Sequence, residues 1–200
     1  EKTLEGLRAQ GYTVKDVSLP HLKYTLPAYY VINPAEVSTN LARFDGIRYG
    51  LSLPGKDSAD VYKKTRGAGF GPEVRRRILI GTFVLSAGYA DHYYRKAEQV
   101  RVLVRNDFAK AFETVDVVAT PTTASPAFRF GEKSDPLAMY AEDLFTVPAN
   151  LAGTPAVSVP MGPVIREGIE LPIGIRFIAA HGAEDRLFTA GYAVERSALQ

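Results

Sequence analysis

The apolar positions between residues 71 and 123 predict the longest ordered stretch of the chain. Apolar residues recur there at helical spacing, and a mostly apolar run over 115–120 follows them. A single helix over 72–114 would be about 65 Å long at 1.5 Å per residue, which is too long for a domain of this size. We therefore predict two helices, divided at Ser86-Ala87-Gly88, and then a buried strand.

The pattern on either side predicts further helices and strands. Helices are predicted over 1–10, 26–44, 59–66, 137–147 and 184–196. Strands are predicted over 12–19, 156–159 and 173–179, with a short strand within 45–50. The helix predicted over 59–66 is expected to have Ser58 as its N-cap and to end at Gly67. The helix predicted over 137–147 is expected to have Ser134 or Asp135 as its N-cap. Asn33-Pro34 is expected to kink or divide the second helix. Because strands alternate with helices, the predicted fold class is α/β.

Composition excludes several classes of protein. The 200 residues include 24 basic and 22 acidic side chains, so there is no electrostatic footprint for nucleic acid. The absence of cysteine excludes disulfides, thiol nucleophiles and cysteine-based metal sites, and fits a reducing cytoplasm. The longest uncharged run, 144–165, contains four prolines, which a membrane-spanning helix could not accommodate. The first residue is not Met, so we expect the chain to begin inside a longer protein.

The residues that most often carry chemistry do not form a recognisable catalytic motif. The glycine-rich run 67–71 follows a predicted helix and lacks the Lys-Ser/Thr of a phosphate-binding loop, so it is interpreted as a helix end followed by a helix start. The three histidines lack ligand spacing: they are His21, His92 and His181. No serine lies in a G-x-S-x-G elbow. The residues alone therefore predict no metal site and no nucleophile.

Two charged features have both a structural and a functional interpretation. Arg75-Arg76-Arg77 could be a solvated helix face with a salt bridge. However, successive residues point about 100° apart. With Val74 and Ile78 facing the core, at least one arginine must approach it, where a guanidinium could hold a carboxylate. Asp143 is the last charge before 22 uncharged residues. It could cap or pair locally, or bind a ligand's ammonium group.

Five stretches of the sequence resemble the C-terminal part of the amidase signature family. Two of them, 26–50 and 69–101, are similar to the branch formed by the A subunits of tRNA-dependent amidotransferases. The segments DVVATPTT, 135–162 and LPIGIRFIA follow in the family's order, and the last two of these patterns occur across many amidases. The resemblance implies the C-terminal part of the amidase signature fold, a mixed sheet flanked by helices. Residues 1–200 would then be the C-terminal portion of a single amidase domain.

What the resemblance implies is a glutaminase that serves protein biosynthesis. In the family, a Ser–cis-Ser–Lys triad hydrolyses glutamine, and the ammonia converts Glu-tRNA(Gln) to Gln-tRNA(Gln), or Asp-tRNA to Asn-tRNA. The triad belongs to the N-terminal half, which this chain does not contain, so no catalytic residue is assigned and the chain alone is expected to be inactive. Subunits B and C complete a cytoplasmic heterotrimer. The partner subunit uses ATP and Mg²⁺ to activate the misacylated tRNA, and no cofactor is expected in this chain.

The family's glutamine-binding residues correspond to three positions of this sequence. The resemblance implies that Tyr29 is the pocket tyrosine, that Arg77 binds the substrate α-carboxylate, and that Asp143 binds the α-ammonium. The chain departs from the family at Asn33-Pro34, where small residues are expected, and at Arg176, where Gln is usual. Two alternatives remain: a stand-alone amidase of the same family, and a non-catalytic scaffold.

Overall fold

The computed structural model of the chain describes residues 1–198. These residues form two compact units, one built from residues 1–26 and from 100 onward, the other from Pro27–Gln99. The α-helices are α1 (Lys2–Ala9), α2 (Thr25–Asn40), α3 (Ser58–Gly69), α4 (Pro72–Val84), α5 (Tyr94–Phe112), α6 (Pro136–Tyr140), α7 (Val147–Ala152) and α8 (Glu184–Ala198). The strands are β1 (Val117–Pro121), β2 (Ala156–Arg166) and β3 (Ile169–Ala179). Short 3₁₀ helices span Leu22–Tyr24, Leu41–Arg43 and Ala141–Phe145.

The first unit is organised around β3, the central strand of an antiparallel sheet with the order β1-β3-β2. β2 and β3 form a hairpin in which Arg166 pairs with Ile169, and Glu167 at its tip adopts a positive φ of 53°. β1 pairs with the other edge of β3, with Val118 opposite Ile178. The central position satisfies the backbone hydrogen bonds of β3 on both edges.

Alternate residues of β3 enter two different hydrophobic cores. Ile175, Phe177 and Ala179 pack with α1 and α8 on one face of the sheet. Ile178 packs on the other face with residues of α5, α7 and β1, including the fully buried Phe108. Because side chains alternate along a strand, the apolar residues at the C-terminal end of β3 (175 and 177–179) are buried on both faces of the sheet, whereas its first residues are exposed or partly buried.

The second unit is helical and contains a close contact between α2 and α4. A Cβ placed on Gly81 of α4 would lie 1.9 Å from the carbonyl oxygen of Pro34 in α2. Glycine therefore permits the two helix backbones to approach each other at this point. Pro34 is fully buried within α2, and the helix continues through it rather than dividing into two segments.

The main features predicted from the pattern are confirmed. The 71–123 stretch forms α4, α5 and β1, and the interruption between the helices contains Ser86-Ala87-Gly88. The first and last helices and the two C-terminal strands also form, and Asp135 is the N-cap of α6, accepting a hydrogen bond from the Ala138 amide at 3.0 Å. The mixed helix and sheet class is thus confirmed.

Two predicted strands are wrong. Residues 12–19 form no ladder with the described strands, although Val17 and Leu19 pack at the edge of a core. In 45–50, the side chain of Asp45 accepts hydrogen bonds from the amides of Ile47 and Arg48 at 2.9 and 3.3 Å. Such a local turn engages the backbone donors that a strand would need.

Several predicted helices have different limits, and α2 ends at Asn40, before the 3₁₀ helix Leu41–Arg43. The N-cap of α3 is Asp57 rather than Ser58, because the Asp57 carboxylate accepts from the Asp60 amide at 2.8 Å, and the helix continues past Gly67 to Gly69. The helix predicted over 137–147 is instead α6 followed by the 3₁₀ helix Ala141–Phe145, after which α7 begins. Pro148 lies in the first turn of α7, where its missing amide hydrogen leaves no intrahelical hydrogen bond unmade.

No helix within residues 1–198 has both the length and the apolarity required to cross a membrane.

The contact at Gly81 generates a stability prediction. Gly81→Ala should lower the free energy of unfolding by about 1–3 kcal/mol, because its methyl group overlaps the Pro34 carbonyl and forces the helices apart. The matched control is Gly67→Ala in α3, where a Cβ meets no atom within 4 Å, so that this variant should be neutral or slightly stabilising. Urea unfolding measures both, and equal effects would contradict the close-approach interpretation.

Candidate functional site

Of the three consecutive arginines at 75–77, Arg77 is the one whose side chain approaches the interior. Its side chain is 26% exposed, whereas that of Arg76 is 46% exposed. Arg75 is exposed and donates to the carbonyl of Gly67. The sequence argument that one member of the triple must approach the core is therefore confirmed, and the residue is the one that the family resemblance had also indicated.

Glu73 supplies the charge that compensates for burial of Arg77. The guanidinium Nε donates to Glu73 Oε1 at 2.9 Å, one helical turn earlier on α4. Burial lowers the pKa of Arg77, but the hydrogen bond and charge of Glu73 outweigh burial and raise it above its usual value. Since Glu73 also pairs with Arg76, one carboxylate serves two guanidinium groups. The pair keeps Arg77 charged and limits the orientations of its planar group.

Two tyrosines of α2 complete the surroundings of Arg77. The Arg77 guanidinium carbon lies 5.7 Å from the ring centroid of Tyr30, within the range of a cation–π contact. Tyr29 and Tyr30 pack edge to face with centroids 5.2 Å apart. Both phenol groups also contribute electrostatically to the raised pKa of Arg77. Tyr29 and Arg77 are two of the predicted site residues and are 48 positions apart in sequence. The fold of the second unit brings them together.

Asp143 belongs to the first unit. It lies in the 3₁₀ helix Ala141–Phe145, which we call the Asp143 helix, and it is partly buried. Its carbonyl oxygen accepts from the amide and the hydroxyl of Thr146 at 3.0 and 3.1 Å. The described structure therefore places two of the three predicted residues in one unit and the third in the other.

A cluster of charged side chains beside Asp143 was not predicted from the sequence. The carboxylate of Glu142 pairs with the ammonium of Lys133 and accepts a hydrogen bond from the Ser125 hydroxyl at 2.9 Å. Arg176 of β3 donates from Nη1 to the carbonyl of Phe145 at 3.2 Å. The only sequence signal for Arg176 was its departure from the family's Gln, and the Glu142 contacts join positions with no periodic relationship.

One histidine and two serines of the chain have structural partners. His21 binds Asp107 through its backbone amide at 2.8 Å and through Nδ1 at 2.9 Å. Ser86 donates to the carbonyl of Phe83, and Ser158 shares a hydrogen bond with Thr122. Across residues 1–198, no group of three or more His, Asp or Glu side chains is arranged to hold a metal ion.

Comparison with known proteins identifies the family. The family model described as Amidase matches residues 1–188. The chain belongs to the amidase family.

Relatives of high identity carry a more specific name. The chain is 58% identical over 196 residues to the A subunit of glutamyl-tRNA(Gln) amidotransferase from Parvibaculum lavamentivorans, in an alignment that covers 98% of this chain and 39% of the relative. It is 52% identical to the protein of the same name in Moorella thermoacetica, covering 98% of this chain and 40% of the relative. The chain thus spans about two fifths of the length of these curated relatives.

Solved structures agree with the family assignment. The crystal structure of the glutamyl-tRNA(Gln) amidotransferase A subunit from Thermotoga maritima matches with a TM-score of 0.70 and 38% identity, covering 98% of this chain and 37% of that chain. A crystal structure described as an amidase matches with a TM-score of 0.73 and 25% identity, covering 98% of this chain and 40% of that chain. The chain therefore has the fold of the corresponding part of an amidase.

The Glu142 cluster generates a pH prediction. Burial raises the pKa of Glu142, but hydrogen bonds from Lys133 and Ser125 outweigh burial and hold it below the usual 4.5. The pKa of Glu142 is lower in the folded state than in the unfolded state. The stabilisation that its ionised carboxylate provides is therefore complete above about pH 5 and is lost as the pH falls through the folded-state pKa. Glu142→Gln should therefore lower the unfolding free energy at pH 7, and this effect should shrink progressively as the pH falls below the ordinary glutamate value of 4.5.

Urea unfolding at several pH values measures this dependence. Glu113→Gln is the control, because Glu113 is exposed and its side chain has no ion pair within residues 1–198. A difference between wild type and Glu142→Gln that stayed constant with pH would contradict the ionic role of Glu142.

Proposed function

We propose that this chain is part of the glutamine-hydrolysing A subunit of a tRNA-dependent amidotransferase. The observation that carries the proposal is the 52–58% identity, over 98% of the chain, to relatives that bear the name of the glutamyl-tRNA(Gln) amidotransferase A subunit. The reaction is hydrolysis of the glutamine side-chain amide by water, which yields glutamate and ammonia. The ammonia would pass to a partner subunit that uses ATP and Mg²⁺ to convert Glu-tRNA(Gln) to Gln-tRNA(Gln).

The surroundings of Arg77 support a pocket for an amino acid. The guanidinium is half-buried and pre-oriented by Glu73, so little side-chain entropy would be lost when it engages a carboxylate. The Tyr29 phenol contributes electrostatically to the raised pKa of Arg77 and would provide a hydrogen bond at the pocket rim. The family resemblance assigns the α-ammonium group of the substrate to Asp143. This chain would thus supply one wall of the pocket.

The chain should contribute binding without catalysis. The serine nucleophile and the lysine of the family triad are expected in the N-terminal half of the intact protein, and subunits B and C would complete the complex. A zwitterionic substrate suits an arginine and an aspartate, whereas an apolar amide gains little from either charge. Substrate charge therefore distinguishes this proposal from a stand-alone amidase of the same family.

The first test compares ammonia release from glutamine by two preparations. We expect none from these 200 residues alone and ready release from the full-length protein in complex with its partners. Release from the chain alone would reveal a nucleophile within it and would overturn the assignment of roles. Failure of the intact complex to use glutamine, while it hydrolyses apolar amides, would favour the stand-alone amidase. No amide hydrolysis at all would favour a scaffold.

The second test concerns the substrate carboxylate. In the full-length protein, Arg77→Ala should raise the KM for glutamine about tenfold to a hundredfold, because a charged hydrogen bond contributes about 1.5–3 kcal/mol. Arg77→Lys should recover only part of the loss, since an ammonium cannot form the two-pronged contact. The matched control is Arg75→Ala, at an exposed position of the same helix turn. An unchanged KM for Arg77→Ala would remove Arg77 from the pocket.

A further inference from the structure

The loop over residues 122–135, called here the bridging loop, is tied by side chains on two sides. It joins β1 to α6. On one side Arg129 pairs with Glu167 at 2.6 Å and Glu132 pairs with Arg166, both at the tip of the β2–β3 hairpin. On the other side the loop contacts the Asp143 helix through Glu142. A segment without regular secondary structure is thereby held to two ordered elements.

Both oxygens of the Glu142 carboxylate are engaged by the bridging loop. Lys133 binds Oε1, and the hydroxyl of Ser125 donates to Oε2. The Glu142 and Lys133 side chains are only 16% and 19% exposed. The Lys133 ammonium also lies 4.7 Å from the ring centroid of Phe128, so it is surrounded by loop residues. A carboxylate held at both oxygens in a poorly hydrated place has one orientation, and this fixes the backbone that carries it.

Arg176 holds the same short helix at its other end. Its guanidinium, half-buried on β3, donates to the carbonyl of Phe145, the last residue of the Asp143 helix. A cation at that end also compensates for the partial negative charge of the terminal carbonyls. Within residues 1–198, no carboxylate forms an ion pair with Arg176. Its directional contact is therefore with the backbone of the Asp143 helix.

Asp143 lies between these two attachments. Glu142 is the residue before it, and Phe145 is two residues after it. A 3₁₀ helix of five residues has poor internal hydrogen-bond geometry and depends on tertiary contacts for its position. The contacts on either side of Asp143 come from the bridging loop and from the central strand, which are independent parts of the first unit.

From this arrangement we infer that Lys133, Glu142 and Arg176 are positioning residues that fix the carboxylate of Asp143 for the ammonium group of the substrate. The inference rests on the proposed function, because it assumes that Asp143 binds this group. The α-ammonium is remote from the amide carbon that reacts. Loss of the positioning contacts should therefore raise KM for glutamine and leave kcat nearly unchanged.

The experiment uses the full-length protein in its complex and compares two substrates. One is glutamine, and the other is 4-carbamoylbutanoate, which is glutamine without its α-amino group. Lys133→Met removes the cation and keeps an apolar stem, and it should raise KM for glutamine about fivefold. It should leave kcat/KM for 4-carbamoylbutanoate within about twofold, because that substrate has no ammonium for Asp143 to hold. Lys133→Arg should restore most of the glutamine KM.

Two further variants separate positioning from general damage. In the double variant Lys133→Met with Asp143→Asn, the loss on glutamine should equal that of Asp143→Asn alone, since residues acting through one another are not additive. Lys110→Met is the matched control, because Lys110 is exposed at the end of α5 and has no ion pair within residues 1–198. A parallel loss on both substrates, or additive losses in the double variant, would overturn the inference.

The outcomes distinguish this inference from the proposed function beneath it. If Asp143→Asn raises the glutamine KM and Lys133→Met does not, the positioning role is wrong and the pocket remains. If neither Asp143→Asn nor Arg77→Ala affects glutamine, the proposed pocket is wrong, and the positioning role fails with it. Arg176→Leu tests the second attachment and should reproduce the substrate-selective loss of Lys133→Met.

Discussion

The first unit depends on the burial of β3 on both faces and both edges. Phe177 and Ile178 are successive residues, yet they enter different cores, and each is almost fully inaccessible to solvent. Burying one such side chain stabilises the folded state by about 1.5–3 kcal/mol, so a slip of one residue in the register would exchange both cores at once. The register therefore fixes Arg176, the residue before Phe177, at a definite height beside the Asp143 helix.

A second constraint is the cost of burying charge, and the two units meet it in different ways. In the second unit, Arg77 and its partner Glu73 are four residues apart on one helix, so the ion pair is local. In the first unit, Lys133 and Glu142 are contributed by a loop and a 3₁₀ helix, so the pair forms only when the tertiary structure does. A local pair orients one side chain, whereas a tertiary pair fixes the relative position of two segments.

This difference explains what could be predicted from the sequence. Helical spacing identified α4 and α5, and the direction of successive helical residues required one buried arginine, because both arguments use local geometry. The strand predicted within 45–50 does not form because the Asp45 side chain engages the local amides. The strand predicted over 12–19 does not form either, and its apolar residues do not alternate strictly. Tyr29, Arg77 and Asp143 came from family resemblance, since no spacing links them. Glu142 and Arg176 were missed because their partners lie 9–31 positions away.

The same reasoning bears on the position of Asp143, the proposed binding carboxylate, in so short a helix. In a long α-helix, the side-chain direction at one position is set by the helix axis and by neighbours three and four residues away. In the Asp143 helix, direction is set by attachments at residues 142 and 145, which reach the bridging loop and β3. Under the positioning proposal, a change in either attachment would alter the orientation of one carboxylate. Substrate affinity could then be adjusted by substitutions that do not contact the substrate.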